Sequence, residues 1–156
     1  MYMHLSGMSS PQLPSLPCFC ATVRRASRAL TQHYEQALRP TGLRATQFTI
    51  LQALFLMGDA TQGELGRVLA LDSTTLTRTL AIMHRHGWIV RKKGRDRREW
   101  CLRLAKRGVA AFSSALPFWE QAQARVKNRL GRHRSDGLMK FANDLAAAFS
   151  PEGEDR

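Results

Sequence analysis

From position 18 onward, apolar residues recur at spacings of three and four. Phe19, Val23, Ala26, Leu30, Tyr34, Ala37 and Leu38 fall on one face of a helix. The spacing predicts an amphipathic helix over 18–38, stopped by Pro40 and Gly42. A second helix is predicted at about 46–57 on Phe48, Leu51, Leu54 and Phe55, closing at Gly58. Thr61-Gln62-Gly63-Glu64 has the form of a capping box, in which the Thr hydroxyl accepts from a free backbone N–H and the Glu carboxylate reaches back. A short helix carrying Leu65, Val68 and Leu69 starts there. Asp72-Ser73 is a second N-cap signal and opens a helix over about 73–86, which buries Leu76, Leu80 and Met83 and ends at Gly87.

The period then changes. Residues 88–93 and 99–104 alternate in character around Gly94-Arg95-Asp96-Arg97-Arg98, which predicts a β-hairpin with a basic tip. On that hairpin Cys101 alternates with Trp100 and Leu102, taken as core residues, and faces the opposite side. Beyond it Val109, Phe112, Leu116, Trp119, Val126 and Leu130 follow a three-four rhythm with one polar interruption at Gln123, so a long helix with a coiled-coil-like seam is expected, kinked at Pro117. After the stretch 131–137 a last helix carries Leu138, Phe141, Ala142, Leu145 and Phe149 on one face. Residues 1–17, rich in Ser, Pro and Met without a period, read as a flexible arm, and 151–156 as a charged tail.

A chain of 156 residues suits one domain with short arms. No apolar run reaches the roughly 20 residues a membrane-spanning helix needs. Residues 1–17 lack the basic start and apolar stretch of an export signal. Three cysteines, at 18, 20 and 101, are too few for a disulfide scaffold and point to a reducing, cytoplasmic setting. Charge changes the picture more. Residues 78–107 hold eleven basic and two acidic residues, +9 of the net +12. A patch this localised points to a polyanion, with double-stranded DNA as the leading candidate.

At 100° per residue, Thr74, Thr77, Arg78, Ala81 and Arg85 lie opposite the buried stripe of the 73–86 helix, with Ser73 at its start. Hydroxyls and guanidinium groups suit the major groove, where Arg78 could bond guanine O6 and N7 and the threonines could touch phosphates or thymine methyls. Arg95, Arg97 and Arg98 suit a narrow minor groove, whose negative potential holds inserted arginine. The sequence has no Gly-rich phosphate loop, no His-Glu-x-x-His and no Gly-x-Ser-x-Gly, so neither catalysis nor a cofactor is expected. His84 and His86 diverge on their helix, and no metal site is expected. Two other functions fit the same elements: a winged-helix protein-interaction module, and a nonspecific architectural DNA-binding protein. The first has no need of five basic residues in Lys92–Arg98, and the second lacks the roughly 10³-fold or greater preference for one site that specific binders show.

Residues 43–108 resemble the winged helix-turn-helix of the multiple antibiotic resistance regulator (MarR) family. The resemblance is carried by Leu-Asp-Ser-Thr-Thr-Leu-Thr-Arg at 71–78, His-Gly-Trp-Ile-Val-Arg at 86–91, and Asp-Arg-Arg at 96–98 followed by Leu104 and Gly108. The family's Leu-Thr-x-x-Gly reads Leu104-Ala105-Lys106-Arg107-Gly108 here, so a threonine that would cap the next helix is Ala105. The resemblance implies a mainly α fold with a small β-hairpin wing. A first dimerisation helix would lie in 18–42, the winged helix-turn-helix in 43–107 and C-terminal dimerisation helices in 108–150. It further implies a homodimer that binds a pseudo-palindromic operator and usually represses nearby genes. Asp96 would orient the wing and Arg98 would enter the minor groove. The apolar seams at 105–149 agree with dimerisation, since a monomer would leave them exposed.

The signal that releases such a regulator differs among family members: a phenolic ligand, an oxidant or a metal. Cys18-Phe19-Cys20 sits at the start of the first helix, where the helix dipole favours a thiolate, and Arg24 one turn on adds positive charge. Ala26-Ser27-Arg28-Ala29-Leu30-Thr31 resembles a segment of the family's organic hydroperoxide sensors and puts Cys20 at their reactive position. Tyr34 matches the second of the two tyrosines that hold the cysteine in those sensors, while Arg24 replaces the first. Bridging between subunits suits Cys18 and Cys20 better than a strained bridge across i, i+2. An organic hydroperoxide acting at Cys20, a small phenolic ligand between the helices, and cysteines that merely pack at an interface all remain open.

Overall fold

The computed structural model describes residues 17–94, 96 and 99–149. The expected arm, apart from Pro17, and the tail lie outside them. Helices α1 (Phe19–Leu38) and α2 (Ala45–Met57) are followed by strand β1 (Ala60–Thr61), helices α3 (Gln62–Leu69) and α4 (Ser73–Arg85), strands β2 (Ile89–Lys93) and β3 (Trp100–Leu104), and helices α5 (Lys106–Leu130) and α6 (Arg132–Phe149).

Helix α2 lies at the centre. Phe48, Ile50, Leu51 and Leu54 are buried on more than one side of it, whereas the sequence pattern suggested a single stripe. Phe55, expected in that stripe, is half exposed but lies tilted against Phe112 of α5 at 5.0 Å between ring centres. Phe48 meets Phe112 and Trp119 at 5.3 and 5.8 Å, so the α2–α5 contact is aromatic. The corner between α1 and α2 is set by Glu35, whose carboxylate accepts from the Ala45 N–H at 2.9 Å and lies 3.5 Å from Arg44. These partners satisfy an N–H that the start of a helix leaves free.

The three strands form one antiparallel sheet in the order β1-β3-β2, with Ala60 opposite Leu102 and Lys93 opposite Trp100. The hairpin was expected; β1 was not. Trp100 departs from its expected place in the core. It shares a hairpin face with buried Leu102 and Ile89, but it stands where that face has run past the helices and is 47% exposed.

Helix α5 runs unbroken through Pro117, and the polar interruption at Gln123 accepts a hydrogen bond from the Tyr34 hydroxyl of α1. Next to it the His33 ring Nε2 lies 3.0 Å from the Ala122 carbonyl oxygen. Helix α6 begins at Arg132 rather than near 138, because Gly131 alone, at φ 78, makes the break and Gly137 stays helical. Buried Ser135 steadies the new first turn by donating to the Arg132 carbonyl at 2.9 Å.

Candidate nucleic-acid interface

Local chemistry fixes both helices of the interface at their ends. At α3 the Thr61 hydroxyl accepts from the Glu64 N–H at 3.2 Å, while Glu64 accepts from the Thr61 N–H at 2.7 Å. The Thr61 N–H, and after it the Thr61 hydroxyl, which donates to Glu64 Oε2 at 3.0 Å, hold the Glu64 carboxyl below its ordinary value. At α4 Asp72 accepts from the Thr75 hydroxyl at 2.6 Å and its N–H at 2.8 Å, and the same bonds lower the Asp72 carboxyl. Both helices close with paired carbonyl bonds. Leu71 and Ala70 N–H donate to Gly66 and Arg67 after α3, and Trp88 and Gly87 N–H to Met83 and His84 after α4. The left-handed residue is Gly87 in one closure and Ala70, at φ 49, in the other.

Leu65, Leu76, Leu80 and Met83 are buried between these helices and α2, so the opposite side of α4 must face outward. Ser73, Thr74, Thr77, Arg78, Ala81 and Arg85 are all exposed. The first five line an open concavity of about 410 Å³. Neither Arg78 nor Arg85 takes part in the Glu35–Arg44 or the Asp59–Arg103 ion pair. Sequence reading missed Gln62, whose side-chain amide donates to the Thr77 hydroxyl at 2.8 Å and ties the start of α3 to the outward face of α4. A contact across 15 positions and two helices leaves no periodic signal.

The hairpin tip closes where Gly94 N–H donates to the Glu99 carbonyl at 2.9 Å and Glu99 N–H to the Asp96 carbonyl at 3.0 Å. Asp96 is exposed; Arg95, Arg97 and Arg98 lie outside the described residues. At the other end of the hairpin Arg103 donates to both carboxylate oxygens of Asp59, and this fork holds the Asp59 carboxyl below its ordinary value. Asp59 stands just before β1, so the fork ties the hairpin to the end of α2. Sequence reading did not single out this pair. At the junction with α5 the Ala105 N–H donates to the Trp88 carbonyl at 2.9 Å, and Gly108 lies so close to Trp88 that a Cβ there would stand 1.9 Å from the same oxygen.

The residues that the sequence offered for a signal fall in two places. Cys18 is the extended cap before α1 and Cys20 lies in the first turn; both are exposed. Arg24 reaches Cys20, with its guanidinium 3.8 Å from Sγ. Tyr34 is about 21 Å further along the helix, from 14 residues at about 1.5 Å each, so one chain does not bring it to Cys20. Tyr34 instead lines a cavity of about 500 Å³ with Leu30, Phe48, Trp119, Leu138 and Ala142, and burial pushes its hydroxyl up. Among the described residues, no group of three or more His, Cys, Asp or Glu could hold a metal ion, and no helix is long and apolar enough to cross a membrane.

Two capped helices joined by a tight turn and followed by a hairpin closed by a third short strand define a winged helix-turn-helix. Residues 43–100 match the model of the MarR family. The chain is 31% identical over 133 residues to YwoH of Bacillus subtilis, an uncharacterized HTH-type transcriptional regulator, covering 85% of this chain and 83% of that protein. Among solved structures it is similar to the M. tuberculosis transcriptional regulator MosR in complex with DNA, at 37% identity and a TM-score of 0.75, covering 84% of this chain and 95% of that one. Apo MarR of E. coli shares the fold at 20% identity and a TM-score of 0.68, covering 84% and 98%. The chain belongs to the MarR family: it is a DNA-binding transcriptional regulator and not an enzyme.

Proposed function

We propose that this protein is a homodimeric repressor of a pseudo-palindromic operator, with α4 in the major groove and the wing in the minor groove. The observation that carries the reading is the outward face of α4, where three hydroxyls and the Arg78 guanidinium line an open concavity at the capped start of the helix and Arg85 is exposed further along. Arg78 reads a base, Ser73, Thr74 and Thr77 hold phosphates, and Arg85 adds charge at the far end. In the wing, Asp96 orients the tip, and Arg95, Arg97 and Arg98 enter the minor groove. Dimerisation accounts for Phe19, Leu138, Met139, Phe141 and Phe149, large apolar side chains of α1 and α6 that a lone chain leaves exposed.

Release follows from one of two events, each with its own observation. A small aromatic ligand such as a phenol suits the cavity beside Tyr34, which is of ligand size and mainly apolar. An organic hydroperoxide suits Cys20, which is exposed and has the Arg24 guanidinium beside its sulfur. There the thiolate attacks one peroxide oxygen, the O–O bond breaks, and the alkoxide takes a proton and leaves as the alcohol. Cys20 is left as the sulfenic acid, which a cysteine thiol of a partner subunit converts to a disulfide with loss of water.

The test is a titration of the purified protein against the DNA upstream of its own gene, reduced and then with an organic hydroperoxide, with Cys20→Ser in parallel. A preference of about 10³-fold or more over bulk DNA supports operator binding, and its absence refutes it. Loss of binding on oxidation in wild type but not in Cys20→Ser assigns the signal to the cysteine. Indifference to oxidant, with release by a phenol and loss of that response in Tyr34→Phe, assigns it to the cavity.

A further inference from the structure

Gln62 and Thr77 belong to different helices of the helix-turn-helix, and the bond between them decides how one hydroxyl of the outward face is used. The capping box at Thr61 and Glu64 fixes the start of α3, and Gln62, the first residue of that helix, extends its side chain to α4. Its amide nitrogen donates to Thr77 Oγ1 at 2.8 Å. Thr77 is exposed and lines the concavity of α4 beside Ser73, Thr74 and Arg78. A helical threonine readily gives its hydroxyl proton to the carbonyl four residues back. Thr31, Thr49 and Thr79 do so, at 2.8, 2.9 and 2.9 Å from the carbonyl oxygens of Ser27, Ala45 and Thr75. Thr77 has the Ser73 carbonyl at the same spacing and accepts from Gln62 instead. Among the described residues its proton goes to no protein group.

A hydroxyl carries one proton and two acceptor lone pairs, and left to rotate it meets a donor or an acceptor equally well. With an amide N–H on its oxygen, the proton must turn away from that nitrogen. Thr77 then offers a donor to whatever fills the concavity, and a donor placed against it would leave the proton unpaired. The acceptors that DNA presents to a helix in the major groove are phosphate oxygens, guanine O6 and N7, adenine N7 and thymine O4. The donors are the amino groups of cytosine and adenine.

We infer that Gln62 is a positioning residue for DNA recognition: by occupying the Thr77 oxygen it sets that hydroxyl as a hydrogen-bond donor. Thr77 therefore pairs with an acceptor atom of the DNA, a phosphate oxygen as above or a base-edge oxygen or nitrogen, and rejects an amino group. This rests on the reading that puts the outward face of α4 against DNA.

The experiment measures affinity for the DNA upstream of the protein's own gene in wild type, Gln62→Ala, Gln62→Glu, Thr77→Ser, Thr77→Val, and the two Gln62 variants combined with Thr77→Val. Thermal midpoints at equal protomer concentration are the folding control. Neither side chain is buried, so the midpoints should stay within about 2 °C of wild type. Thr77→Val weakens binding about tenfold, whereas Thr77→Ser, which keeps the hydroxyl, stays within about twofold of wild type. Gln62→Ala weakens it about two- to fivefold, and combined with Thr77→Val it costs nothing further, because it acts only through that hydroxyl. Gln62→Glu puts an acceptor where the amide donor was and takes the Thr77 proton, so it weakens binding more than Gln62→Ala does. Combined with Thr77→Val, only the cost of its charge remains. A loss spread evenly over base substitutions in the operator assigns the acceptor to a phosphate, and a loss confined to one base pair of each half-site assigns it to a base edge. Wild-type affinity in Gln62→Ala, or costs of Gln62→Ala and Gln62→Glu that are as large beside Thr77→Val as beside threonine, would overturn the inference. Failure of the wild-type protein to prefer its upstream DNA over bulk DNA would instead overturn operator binding itself.

Discussion

Replacing Gly108 by alanine should loosen the wing from the long helix. An added Cβ would lie 1.9 Å from the Trp88 carbonyl oxygen and 2.9 Å from its carbonyl carbon, and both obstacles are backbone. Reaching even a tight contact near 3.0 Å needs about 1.1 Å of separation. A shift of that size takes the Ala105–Trp88 hydrogen bond from 2.9 to about 4 Å, beyond bonding distance. The strain of overpacking costs about 1–3 kcal/mol and lies at the upper end here, because neither side is a flexible side chain. The lost hydrogen bond adds about 1 kcal/mol, and the better helix propensity of alanine returns at most about 1 kcal/mol. The net is a destabilisation of about 2–3 kcal/mol, or roughly 4–12 °C in Tm for a chain of this size. Gly66→Ala is the control. It adds the same methyl to a helix where the nearest atoms are 3.6 Å away, and it should stabilise by about 0.5–1 kcal/mol. Thermal unfolding followed by circular dichroism at equal protomer concentration reads both. A Gly108→Ala midpoint at or above wild type would refute the reasoning.

Other expectations are as direct. Ala70→Gly relieves a left-handed alanine at the end of α3 and should raise stability by about 0.5–1 kcal/mol in urea unfolding, whereas a loss would mean that φ 49 carries no strain. Asp59 has its carboxyl lowered by the Arg103 fork, so its contribution is present above the ordinary value of 3.8 and is lost as pH falls through the lowered one. Asp59→Asn should therefore lose stability at neutral pH and show a flatter acid limb than wild type, and parallel curves between pH 6 and 2 would discount the fork. Tyr34→Phe leaves the Gln123 side chain without its donor and should cost about 1–2 kcal/mol, checked by denaturant titration. In the DNA assay Arg78→Ala should relax base preference at one position of each half-site, and Arg98→Ala should lower the salt slope by about one unit per protomer. An unaltered preferred sequence, or an unaltered slope, counts against the respective role.

Much of this architecture was legible in the chain because it is encoded locally. Cap residues, glycines and period-3.6 stripes placed α1 to α4 to within about a residue, since Thr61–Glu64 and Asp72–Thr75 satisfy free N–H groups within three positions. The same periodicity identified the outward face of α4, because burying Leu76, Leu80 and Met83 leaves Thr74 and Arg78 one direction to point. The concentration of charge in 78–107 pointed to a polyanionic partner without any coordinates.

What the tertiary structure decided are the contacts between residues far apart in sequence. Two residues at 60–61 are too short for an alternating pattern, and they form a strand only because β3 offers them partners. Trp100 has the alternation of a core residue, yet it is half exposed because a hairpin face stays buried only as far as the helices beneath it extend. Gln62 on Thr77, Arg103 on Asp59 and Tyr34 on Gln123 join positions 15, 44 and 89 apart, so no local spacing encodes them. The glycine at 108 could be seen in the sequence as part of a family pattern, but its reason could not: only the docking of α5 on Trp88 shows that a backbone oxygen occupies the space a side chain would need. Local hydrogen bonding and amphipathic period are properties of neighbouring residues, whereas packing is a property of the folded chain, and the two divided this protein between them in that way.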